Sequence, residues 1–212
     1  MSRITICFFF IAILLFLPLA AQDHRDQKFP PETYERAGRD EYQMPDKVVQ
    51  ALKLKPTDAV ADIGAGSGYF TRRLAAAVPR GVVFAVDVDE AMLRHIHHYV
   101  EQQKQFNIVP VLSSFDDPML PSDSVDVVFI CNTNHHFKNR LTYYQRIGRI
   151  LKKGGRLVIV DYEQKPIPVG PPADEKLSKE VVLKEAKASG FELAEELKFL
   201  PYQYYLIFRW PN

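Results

Sequence analysis

The sequence predicts an α/β fold built on a doubly wound parallel sheet, in a single domain. Three features predict it. From Ala59 to Asp161, short apolar runs alternate with stretches of helical periodicity, the pattern of parallel strands covered on both faces by crossover helices. A glycine turn, Gly64-Ala65-Gly66-Ser67-Gly68, separates the first apolar run from the first of those helices. Beyond Gly190 the alternation stops and two closing strands follow. With 212 residues, 47% apolar and 25% charged, the chain has the length and balance for one extensive core. A formal charge of +1, with no long run of one sign, argues against a dominant nucleic-acid surface.

The N-terminus stands apart. Arg3 gives a positive start, Ile4 to Leu17 is apolar apart from Thr5, and Pro18 precedes Leu19-Ala20-Ala21-Gln22, with small residues where a leader peptidase cuts. Residues 1–21 read as a signal peptide, and an uncleaved membrane anchor is the rival; Ile4 to Ala21 is 18 residues, against the ~20 that span a bilayer. A cleaved leader makes the protein exported, periplasmic or secreted. An anchor ties it to the membrane, and a misassigned start leaves it cytoplasmic. Cys7 lies in the leader, so Cys131 is the only cysteine of a mature chain, which leaves no internal disulfide and no cysteine zinc site.

Residues 22–45 read as a linker and a segment dense in charge and aromatics, and residues 46–212 as the domain. Asp46 is expected to cap a short helix whose apolar face is Val48, Val49 and Leu52. Ala59 to Ile63 is the first strand. Phe70, Leu74, Ala77 and Val78 then mark a helix stopped at Pro79-Arg80-Gly81. Val82 to Asp87 is the second strand, and Asp89 caps a helix carrying Met92, Leu93, Ile96 and Val100. Asn107 to Leu112 and Ser124 to Cys131 are the third and fourth strands. Leu141, Tyr144, Ile147 and Leu151 mark a helix ended by Gly154-Gly155, and Arg156 to Asp161 is the fifth strand. Four prolines make residues 166–172 a loop. Ser178 caps a helix that runs to Gly190, a natural residue just past a helix end, and Phe191 to Lys198 and Tyr202 to Trp210 close the sheet.

The glycine turn carries the chemistry. Gly64, Gly66 and Gly68 leave no Cβ between the main chain and a ligand, and the helix that follows offers free N–H groups. The spacing is G-x-G-x-G; a dinucleotide fingerprint is G-x-G-x-x-G. Asp87, at the end of the second strand, can accept from both ribose hydroxyls. Asp62, inside the first strand, is a buried acid that a ligand ammonium group would pair.

These residues resemble the class I S-adenosylmethionine-dependent methyltransferases. The likeness rests on four blocks in order: 61–70, Ala85-Val86-Asp87-Val88-Asp89 with Met92-Leu93, 120–126, and 151–157. It implies a Rossmann-like, mostly parallel seven-stranded sheet with an antiparallel C-terminal strand pair, and S-adenosylmethionine (SAM) as cofactor, leaving S-adenosylhomocysteine (SAH). Asp62 and the backbone of Gly64 and Gly66 would hold the methionine moiety, with Ala65 and Gly68 also in the cofactor site, Asp87 would bind the ribose, Val88 or Met92 would line the adenine, and Phe115 or Asp116 would meet the adenine amino group. Asn132 would flank the reactive methyl. Residues 39–43 resemble an N-terminal cover over the cofactor. The rivals are an NAD(P)-dependent oxidoreductase on a similar sheet, which the glycine spacing disfavours, and a non-catalytic SAM- or nucleoside-binding protein.

Methyl transfer to a proton-bearing nucleophile wants a base. His135 and His136, just past the fourth strand, stand where α/β sheets bind ligands and are the candidates. The acceptor is expected to be a small molecule. His95, His97 and His98 read as a solvated helix face with no acid to complete a metal set, and the run of aromatics from Tyr202 to Trp210 reads as packing.

Overall fold

The computed structural model describes residues 30–211; the leader, the first part of the linker and the last residue lie outside them. Seven strands form one sheet in the order β3-β2-β1-β4-β5-β7-β6. They are β1 Ala59–Ile63, β2 Val82–Asp87, β3 Ile108–Leu112, β4 Val125–Cys131, β5 Leu151–Tyr162, β6 Glu192–Leu197 and β7 Gln203–Arg209. The first five pair in parallel. β7 runs antiparallel between β5 and β6, the C-terminal pairing the resemblance implied.

The period-two alternation of strand side chains sorts the core into two layers. Val127, Phe129, Val158 and Val160 face one way, onto α2 (Pro45–Ala51), α3 (Thr71–Ala77) and α4 (Glu90–Gln103), through Val48, Leu74 and Ile96. Val128, Ile130, Leu157 and Ile159 face the other, onto α5 (Arg140–Ile150) and α6 (Lys179–Ala188), through Tyr144, Ile147 and Val182. All of these side chains are fully or almost fully buried, each worth roughly 1.5–3 kcal/mol of transfer free energy for the aliphatic ones. The strand order reverses between β1 and β4, so a crevice opens above their C-terminal ends.

Local signals hold at several boundaries. The Asp89 side chain accepts from the Ala91 N–H and the Ser178 side chain from the Val181 N–H, as capping residues do. Two expectations are corrected. Asp46 does not cap α2: Met44, in the left-handed region, precedes Pro45 at the first helical position, and Asp46 sits in the first turn facing Arg73 at 3.8 Å. Leu151 is not the last apolar residue of α5, and the glycines do not end that helix. The chain turns extended at Leu151, which pairs with Val125 across a register shift, so β5 begins five residues earlier than the apolar run from Arg156 suggested.

Before β1, a strap crosses the C-terminal ends of the strands. It comprises a 3-10 turn at Pro31–Glu35 and α1 (Arg39–Gln43), with left-handed residues at Gly38 and Met44 setting its bends. Among the described residues no helix is long and apolar enough to cross a membrane.

Candidate active site

Gly64, Gly66 and Gly68 all take positive φ (75°, 53° and 84°), so the turn needs glycine for its backbone alone. The Gly64 and Ala65 N–H groups both donate to the Val86 carbonyl, at 2.8 and 3.1 Å, which ties the loop to the end of β2. The Gly66 N–H donates to Asp87 Oδ2 at 2.8 Å and the Asp89 N–H to Oδ1 at 2.9 Å. Each carboxylate oxygen of Asp87 is thereby aimed by a main-chain donor and keeps acceptor capacity for a ligand. Burial raises its pKa despite those bonds. A Cβ on Gly64 would overlap the Thr133 side chain, and one on Gly68 would come to 3.0 Å from Ile96 Cγ1. On Gly66 it would meet only the Tyr34 ring, at 3.9 Å.

Asp62 lies at the end of β1, 3% exposed. Thr71 Oγ1 donates to its Oδ2 at 2.6 Å, and burial pushes its pKa up to about 7. A carboxyl so placed suits a cationic partner, and the nearest protein cation acting on it is Arg39 of the strap.

The strap is held by charge. Glu35 accepts from Ser67 Oγ at 2.6 Å, and both its carboxylate oxygens accept from Arg72 Nη2, at 2.7 and 2.8 Å. Burial pushes the Glu35 pKa up, but the Ser67 and Arg72 bonds outweigh it and leave the pKa lowered. Arg39 lies over the Tyr69 ring at 3.6 Å and donates to the Tyr34 carbonyl. Tyr34 leans over Gly66, with its phenol pKa raised by burial and then by Asp87 and Asp89.

At the other end of the crevice Asn132, with φ of 55°, enters a closed ring of three amides. Its Nδ2 donates to Gln43 Oε1 at 2.9 Å, Gln43 Nε2 to Gln203 Oε1 at 3.0 Å, and Gln203 Nε2 to Asn132 Oδ1 at 2.6 Å. The Tyr162 hydroxyl accepts from the same Nδ2 at 3.2 Å. The two histidines separate. The His135 side chain is 7% exposed, with Nδ1 at 2.9 and 3.0 Å from the two oxygens of Asp161, itself 1% exposed. His136 is exposed, its ring 4.2 Å from that of His135.

Asp62, Gly64, Ala65, Gly66, Gly68 and Asp87 are therefore brought together, as expected. Met92 is buried on α4, while Val88 and Phe115 are exposed at 41% and 61%. The Ser113 N–H donates to the Asp87 carbonyl at 2.9 Å, so Phe115, two residues on, stays close to the second strand's end. Asp116 turns outward instead, taking a 2.7 Å bond from Ser114 and facing Arg146 at 3.6 Å. His95, His97 and His98 are partly or fully exposed on α4. Among the described residues no group of three His, Cys, Asp or Glu side chains is placed to hold a metal ion. Sequence reasoning passed over Asp161 and Gln203. Asp161 carried a usable signal, an acid at the C-terminal end of a parallel strand, the rule that had picked out Asp87.

Residues 61–159 match the family model described as a methyltransferase domain. The match takes in just under half of the chain and makes this stretch similar to that family's domain. The chain is 31% identical over 120 residues to an uncharacterized methyltransferase of Mycobacterium tuberculosis, covering 55% of this chain and 57% of that protein. It is 27% identical over 147 residues to the 27-O-demethylrifamycin SV methyltransferase of Amycolatopsis mediterranei, covering 64% of this chain and 50% of that protein. It thus spans about half the length of the curated relatives it matches. Among solved structures, a SAM-dependent methyltransferase from Aquifex aeolicus superposes with a TM-score of 0.82 at 26% identity, covering 87% of this chain and 100% of that one. The fold is that of the SAM-dependent methyltransferases, and SAM is the cofactor such a domain takes.

Proposed function

We propose that the protein transfers a methyl group from SAM to a small-molecule acceptor through a proton-bearing nucleophile. The observation that carries this reading is the pair of carboxyls beside the glycine turn, buried Asp62 for an ammonium group and partly buried Asp87, bonded to the Gly66 N–H, for a ribose diol. SAM supplies a methyl group already activated on a sulfonium sulfur, so the protein's work is alignment, exclusion of water and proton handling. Asp87, fixed by the Gly66 N–H, orients the ribose; Val88 and Phe115 offer exposed apolar faces to the adenine. Asp116, engaged by Ser114 and Arg146, is set aside from the adenine role. The strap covers the crevice through Tyr34 and Arg39. Asn132, fixed by its amide ring, flanks the methyl.

His135 is the base in this reading. Asp161 receives the Nδ1 proton, which fixes the tautomer and leaves Nε2 to take the acceptor's proton. His136, exposed with its ring against that of His135, is set aside. Asp161→Asn and His135→Ala are expected to lower kcat at least tenfold with SAH affinity retained; unchanged turnover removes the pair from the mechanism. A relative named for a rifamycin substrate supports a small-molecule acceptor. For the cofactor, calorimetry with SAH tests the assignment: heat with the wild type, at least tenfold weaker binding by Asp87→Ala. No heat with the wild type overturns it. We also propose that residues 1–21 are a leader removed on export.

A further inference from the structure

Among strap residues 31–43 only Gln43 is buried, at 0% exposure, while the ion pairs that tie the strap to α3 are partly exposed. Solvent screens such pairs and leaves them weak. The buried anchorage of the strap is therefore the Gln43 amide. One residue on, Met44 takes φ of 45° and α2 begins, its Val48 in the core with a carbonyl that accepts from the Tyr205 hydroxyl at 3.3 Å. The strap thus joins fixed structure directly beyond the amide that seats it.

That amide reaches two partners from opposite sides of the sheet's switch point. Asn132 follows β4, with its N–H on the Val160 carbonyl at 2.9 Å. Gln203 opens β7 opposite Tyr162 of β5, and both of these side chains bond to Asn132. Each of the three amides gives one hydrogen to the ring and accepts one, and two of the three ring bonds run through Gln43. The second Nδ2 hydrogen of Asn132 goes to Tyr162, and Gln43 Nε2 also lies 3.5 Å from Cys131 Sγ. Gln203 is 4% exposed, so water has little room to replace a lost partner. A buried amide stripped of its partner is costly, and a closed ring of such bonds makes and breaks as a unit. Lifting the strap removes two bonds of the three and leaves Asn132 and Gln203 with one between them.

We infer that Gln43 and Gln203 are positioning residues that act through Asn132: seating the strap and fixing the Asn132 side chain are one event, so the reactive end of the crevice is set only when the strap is closed. The inference rests on the methyltransferase reading for the place of Asn132 beside the methyl, and goes beyond it in making the cover a regulator of that end.

The test uses the full chain, isotope-labelled, with SAH as the probe and NMR to follow exchange of the side-chain NH2 groups of Gln43, Asn132 and Gln203. SAH is expected to slow all three by a common factor of about tenfold or more. Gln203→Met, similar in size but without the amide, should speed exchange at Asn132 and Gln43 by about tenfold, and tryptic cleavage after Arg36 several-fold, although residue 203 lies on β7. Gln43→Met should do the same to Asn132 and Gln203. The double variant should cost Asn132 no more protection than either single change, whereas independent packing contributions would add. With SAH bound, unlike protection of the three wild-type amides, additive losses in the double variant, or strap cleavage indifferent to Gln203→Met overturns the coupling alone. If a variant fails to fold, the wild-type comparison decides by itself. Absence of SAH binding overturns the methyltransferase reading, and with it the role given to Asn132.

Discussion

Asp62 illustrates how one buried carboxyl couples stability to ligand binding. Its ordinary pKa of 3.8 rises to about 7 in the fold, chiefly through burial. A raised folded pKa means that its contribution to stability is complete below the ordinary value and is lost as pH climbs toward 7, at roughly 1.4 kcal/mol per pH unit in that window. Asp62→Asn lacks the titration, so the stability of the wild type relative to it should fall across the same window. Urea midpoints measured in parallel at several pH values check this, and parallel curves would refute it. A bound ammonium group favours the ionised carboxylate, so SAH should displace a proton below about pH 7; calorimetry in buffers of different ionisation enthalpy reads that proton directly. The glycines make a second residue-scale contrast. Gly64→Ala meets Thr133 and strains a left-handed backbone, and should cost about 2–4 kcal/mol. Gly66→Ala has open space before Tyr34 and should cost only the backbone strain, about 1–2 kcal/mol, yet its methyl would enter the space in which the proposed cofactor would lie. Gly66→Ala should therefore lose SAH affinity out of proportion to its stability, and Gly64→Ala the reverse.

At the scale of elements, the parts of the molecule differ in how much their own sequence declares. β1, β2, β4 and β5 were legible because helices cover both faces of the sheet there, which writes a near-continuous apolar run into the chain, and β3, at the edge with Val109 and Leu112 exposed, was legible from its apolar residues alone. The start of β5 was not, because Leu151 is apolar in a helix's rhythm and only its pairing with Val125 makes it a strand. The glycine turn and Asp87 were legible as local spacing. The Gln43–Asn132–Gln203 ring and the His135–Asp161 pair were not, since their members stand 89, 160, 71 and 26 residues apart and only the closed sheet brings them together. The strap lies between these cases: its charges were visible, their partners on α3 were not. Glu35 with Arg72 and Asp40 with Arg73 are partly exposed pairs, each worth at most about 1 kcal/mol, so they position the strap without adding much to global stability. Arg72→Met should leave the urea midpoint nearly unchanged while tryptic cleavage after Arg36 accelerates several-fold. SAH should slow that cleavage in both proteins if the strap closes over the cofactor, and equal cleavage rates with and without SAH would exclude it.

For the whole molecule, the sheet, both core layers and every residue assigned to the site fall within residues 30–211. Among the described residues, the two hydrophobic layers run from Val48 to Trp210. The leader is thus expected to act as an address and not as a part of the fold. A chain begun at Gln22 should show the unfolding free energy of a chain that retains residues 1–21, within about 1 kcal/mol, and the same SAH affinity. A large loss in either would mean that the leader packs on the domain. The same logic orders the test of export. If the leader is cleaved, Edman sequencing of the protein from the cell envelope or medium should begin at Ala21 or Gln22. The domain should then be folded and competent for SAH where it is recovered, since every residue assigned to the site lies within residues 30–211. A chain that begins at Met1 and partitions with membranes would mark an anchor, and one that begins at Met1 in the soluble cytoplasmic fraction would overturn export.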